Sequence, residues 1–174
     1  MATGSIPLAI GAAILPDGSA SNAAPAMQRV KSSATAPAPY FLQLAYDAAT
    51  REQVTWSLRM PADYGSTPTL KIQCKTAATS GNTIFEGRLA AVTPGDATDV
   101  TAKAFAAANT SSATAVPSTA QRLFEISIAL TSADSLAAGD LVIVYLARDA
   151  ANASDTVNGN DIEVVAATLE YTTA

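Results

Sequence analysis

The sequence predicts an all-β protein: a two-sheet antiparallel β-sandwich, with a jelly roll as the leading topology, behind an extended N-terminal arm. Three observations carry this. From Tyr40 onward, large apolar side chains recur at every second residue in one segment after another, the period of half-buried strands. Turn residues such as Pro94-Gly95 and Asn158-Gly159 separate those segments. Alanine, the best helix former, accounts for 39 residues of a chain that is 49% hydrophobic, but it collects in the arm and in Ala/Thr/Ser stretches such as 106–115. No 3.6-residue stripe of large apolar side chains accompanies it there.

Residues 1–39 form the arm. They contain no aromatic side chain and only Asp17, Arg29 and Lys31 as charges, so they cannot bury enough surface to fold alone. Ile6, Leu8, Ile10, Ile14 and Leu15 nevertheless place five large aliphatic groups ahead of a Pro16-Asp17-Gly18 turn. Such an arm needs a surface to lie on, either that of a partner or that of the chain's own sheet as a first strand. The partner reading makes those five residues the candidate contact site.

Residues 40–174 form the sandwich. Strands are expected at 40–46, at 54–60 with Val54, Trp56, Leu58 and Met60 on one face, and at 70–75 with Leu70, Ile72 and Cys74 alternating with Lys71, Gln73 and Lys75. Further strands are expected at 83–92, 98–105, 122–130, 141–148 and 161–171. Leu141 to Leu146 is apolar on both faces and belongs at a sheet centre. Ser132 to Gly139 offers one short helical turn.

Composition narrows the chemistry. With no histidine and one cysteine, the chain has no Ser/His/Asp or Cys/His arrangement and no disulfide of its own. Its net charge of −5 disfavours nucleic acid as a partner. The apolar run Ile6 to Leu15 lacks a basic leader and is too short to span a bilayer, so neither a cleaved signal nor a membrane partner is expected. Asp96, Asp99, Asp134 and Asp140 sit where turns and caps need carboxylates, while Glu86, Glu125, Glu163 and Glu170 fall on expected solvent faces, so no catalytic pair is expected. The loop from Asp149 to Asp161 is rich in oxygen ligands, but its spacing does not match a calcium loop; no metal or cofactor is assigned. Arg148 is expected to pin that loop by a bidentate pair with a nearby acid. Tyr64 lies in a connection and is the best candidate for an exposed aromatic platform; Cys74 reads as an inert core thiol.

The strand of Trp56 running into Met60-Pro-Ala-Asp-Tyr64-Gly-Ser, then Leu136-Ala-Ala-Gly-Asp140 leading into Leu141 to Asp149, Ser154-Asp155-Thr156 and the closing Leu169-Glu-Tyr171-Thr, resembles virion structural proteins of tailed bacteriophages. It is most similar among them to capsid cement, or decoration, proteins. The resemblance implies a non-enzymatic protein made in the host cytoplasm and carried on the virion. Its partners would be the major capsid protein and itself as a homotrimer. The alternative is a receptor- or carbohydrate-binding module of a tail fibre or baseplate.

Overall fold

A computed structural model describes residues 2–19 and 22–174. Its strands are β1 (Thr3–Pro7), β2 (Ala26–Lys31), β3 (Tyr40–Tyr46), β4 (Gln53–Arg59), β5 (Tyr64–Lys75), β6 (Asn82–Thr83), β7 (Phe85–Val92), β8 (Asn109–Thr110), β9 (Thr114–Ala115), β10 (Phe124–Ala129), β11 (Leu141–Arg148) and β12 (Ile162–Thr173). The only helical pieces among the described residues are two 3-10 turns, Ile10–Ala12 and Val100–Ala102.

Two antiparallel sheets pack face to face. The larger runs β10-β5-β12-β3-β2, with β1 also on β12; the smaller runs β4-β11-β7-β8. Set aside β1, β2 and the small β6–β9 ribbon, and number the remaining eight strands in chain order. One sheet then reads first, eighth, third, sixth, and the other second, seventh, fourth, fifth, which is the jelly-roll order. The core between them is built from the predicted alternation: Leu44 and Tyr46, Val54 and Trp56, Leu70 and Ile72, Ile126 and Ile128, Val142, Val144 and Leu146, and Val164 and Leu169 are all buried. Cys74 is buried among them, and burial pushes its thiol well up, as an inert core position requires. β11 lies between β4 and β7, the central place its two apolar faces call for.

Three local expectations need correction. Residues 98–105 form no strand: Asp99 caps a 3-10 turn by accepting the Thr101 N–H, and the strand in this part of the sheet is the two-residue β8. Ser132 to Gly139 forms no helical turn, because Asp134 and Ser135 both take left-handed backbone angles, at φ 55° and 56°. Glu86 is not on a solvent face but buried, for a reason given below.

Arg148 and Asp155 set the loop that follows β11. Both side chains are buried, and Arg148 donates Nε and Nη2 to the two carboxylate oxygens at 3.1 and 2.9 Å, the bidentate pair expected of it. Its remaining donors meet the carbonyls of Tyr46, Asp47, Val157 and Asn160. Asp155 also accepts from the Ile84 N–H and the Thr83 hydroxyl, so one ion pair joins β3, β6, β11 and the loop.

Candidate partner-binding surface

The arm lies on the chain's own body. β12 is twelve residues long, and β3 pairs only with its stretch Ile162 to Val164. The rest of that edge would be left with unpaired backbone groups; β1 takes it, pairing Thr3 to Pro7 with Thr172 to Thr168. Gly4 is required here, because a Cβ would stand 2.1 Å from the Tyr171 ring. The Leu8 N–H then donates to the Ala167 carbonyl at 2.8 Å, and the chain crosses to the smaller sheet. There Ile14 exchanges both backbone hydrogen bonds with Thr55, and the Gln53 N–H donates to Ala23. β2 finally returns to the larger sheet as the outer neighbour of β3.

That path separates the five candidate residues. Leu8 and Ile10 are only 3% and 7% exposed and belong to this chain's core, and Ile6 packs half-buried against it. The Trp56 indole N–H donates to the Ala9 carbonyl at 2.9 Å, locking the crossing down. These three are therefore placed as internal packing residues, which the alternative of a first strand anticipated. Ile14 and Leu15 are different, at 54% and 41% exposure. Nearby on β3, Tyr40 and Leu42 are also exposed, and Leu42 Cδ1 lies 3.1 Å from where a Gly11 Cβ would stand, so exposed apolar side chains of β3 reach the arm at Gly11 and, with Ile14 and Leu15, make up the candidate surface. Its members come from two distant parts of the chain, so only the arm's half was visible as a sequence pattern.

Tyr64 is not an exposed platform. It is buried with its ring 5.6 Å from that of Tyr171, and Tyr171 in turn donates its hydroxyl to Asp63. The Asp149–Asp161 loop gathers no cluster of three metal-ligating side chains among the described residues; Asp155 is held by Arg148, and Asp149 accepts from Asn152.

A second cluster was not visible in the sequence, because Arg51 comes from a segment far from Glu86 and Arg88. On the outer face of the smaller sheet, Arg51 and Arg88 converge on the buried Glu86, one on each carboxylate oxygen. Two guanidiniums compensate the burial of one carboxylate, which is why Glu86 can leave solvent. Arg88 lies over the Tyr145 ring at 5.6 Å, and the exposed Phe105 meets Tyr145 at 5.4 Å.

No family model matches the chain, and no curated protein matches it. Among solved structures it is similar to the arabinose-bound α-L-arabinofuranosidase MgGH51, with a TM-score of 0.42 and 13% identity over 83% of this chain. The match covers 22% of that enzyme, so this chain spans about a fifth of its length. An arabinofuranosidase activity belongs to that protein and is not carried to this one.

Proposed function

We propose that this protein is a non-enzymatic virion structural protein, a cement or decoration protein that binds and stabilises the outer surface of a phage capsid. Its partners in this reading are the major capsid protein and two further copies of itself. The supporting observation is the apolar surface of Ile14, Leu15, Tyr40 and Leu42, whose arm half is held in place by backbone hydrogen bonds to β4 rather than left to order on docking. A preordered apolar strip loses little conformational entropy on binding, and many copies on a shell add avidity. The contact role passes from all five arm residues to Ile14 and Leu15.

This choice dictates the test. Removing the arm would strip Leu8 and Ile10 from the core and confound binding with folding, so point changes are used. The double variant Ile14→Asp/Leu15→Asp is expected to keep its melting temperature within a few degrees and to lose co-sedimentation with capsids of the parent particle; undiminished binding overturns the proposal. Sedimentation of the free protein at three times its 17.6 kDa tests the trimer.

A further inference from the structure

The Arg51–Glu86–Arg88 cluster does more than bury a carboxylate. Its two arginines form one wall of a depression of about 330 Å³ on the outer face of the smaller sheet, completed by Asn22, Gln53, Phe105 and Tyr145. We infer that this depression binds a carboxylate-bearing monosaccharide of the hexuronate class. The inference does not depend on the capsid reading, because none of these residues belongs to the Ile14 surface.

Each wall supplies a different part of that ligand. Arg51 is matched by both Glu86 and Asp149, the latter at 3.5 Å, which leaves Arg88 as the cation of this wall with donors to spare. Glu86 is the one acid paired with Arg88 among the described residues. Arg88 uses only its Nε on Glu86, so both terminal nitrogens of its fork are without a protein acceptor among the described residues. Its position over the Tyr145 ring fixes the guanidinium, which matches a carboxylate through two parallel N–H groups. Phe105 provides the apolar wall. The Ala106 N–H donates to the Leu89 carbonyl at 2.9 Å and Lys103 pairs with Asp134 at 2.9 Å, so this otherwise irregular segment is tied down on both sides of the ring. A partly exposed aromatic ring held in this way suits stacking against the C–H face of a pyranose. Gln53 donates its side-chain N–H to Asn22 Oδ1 at 2.8 Å, and its Oε1, without a donor among the described residues, can accept from a sugar hydroxyl. The volume lies at the lower end of the range for small-ligand sites and takes a single ring.

The test is NMR titration of the full chain with sodium D-glucuronate, D-glucose and N-acetyl-aspartate. Glucuronate is expected to produce saturable shifts confined to the neighbourhood of residues 51–53, 88, 105 and 145, at least about tenfold stronger than either control. Arg88→Gln is expected to weaken glucuronate about tenfold and abolish its advantage over glucose. Should Arg88→Gln lose its folded spectrum, Phe105→Ser, at an exposed position, is expected to weaken glucuronate at least about threefold. Equal binding of glucose, equal binding of N-acetyl-aspartate, shifts that map elsewhere, or full binding by a folded variant each overturns the proposal.

Discussion

At the scale of single residues, charge burial is the dominant theme. Arg148 has every guanidinium nitrogen engaged inside the protein, and Asp155 pairs with no other cation among the described residues. Removing one partner leaves the other buried and uncompensated, so Arg148→Met should cost about 3 to 5 kcal/mol in urea unfolding, whereas breaking the exposed Lys71–Glu125 pair should cost under about 1. Carboxylates around the same loop give a pH signature. Burial, assisted by the charge of Asp47, raises Glu52 and Asp161, and the Asp47 N–H opposes this at Glu52. Groups with raised folded values contribute stability that is complete below their unfolded pKa and is lost as pH rises through the folded one. Asp47 is the reverse: the N–H groups of Ala49 and Thr50 lower it, so its contribution is present above 3.8 and lost as pH falls further. Stability measured by denaturant midpoint should therefore rise as pH falls from neutral towards 4.5, then drop below 3.8. A monotonic fall from neutral pH would contradict these assignments. Arg148 and its bidentate acid were legible in the sequence because an arginine closing an apolar strand must find an anion; Glu86 was not, since Arg88 shares its strand but Arg51, the second arginine, comes from the distant segment before β4.

At the scale of elements, the arm shows how a segment unable to fold alone becomes structural. Leu8 and Ile10 each contribute about 1.5 to 3 kcal/mol by burial on a surface that β3 leaves uncovered where it parts from β12. Gly4→Val places side-chain atoms inside the volume of the Tyr171 ring and should release β1 alone. The expected readout is hydrogen exchange: amides of residues 3–8 lose protection while those of β11 keep theirs. Unchanged protection at β1 would show that its seat on β12 tolerates a side chain. The body strands were readable because alternating burial imposes alternating sequence. β2 was not readable: Ala26-Met-Gln-Arg-Val-Lys31 is an edge strand with mostly exposed or half-buried side chains, and it exists because β3 offers it hydrogen bonds.

At the scale of the whole molecule, arm and body form one cooperative unit. Trp56, the sole tryptophan, is buried in the core and bonded to Ala9 of the arm, so its fluorescence senses both. Thermal unfolding followed by tryptophan emission and by far-ultraviolet circular dichroism should give coincident midpoints, and an earlier emission change would mean that the arm leaves first. The strand set pointed to a sandwich in advance, but the order of strands could not be read, because jelly-roll neighbours are chosen by contacts across the whole chain rather than by local pattern. That order bears on synthesis. β12 fills the middle of the larger sheet yet is translated after β1, β3 and β5, the three strands it joins. Until it emerges from the ribosome, those strands carry open edges and a half-covered apolar face, the condition under which nascent chains aggregate. Yield of soluble protein should thus depend on how quickly translation through β12 is completed, and chains stopped before Ile162 should accumulate as insoluble material.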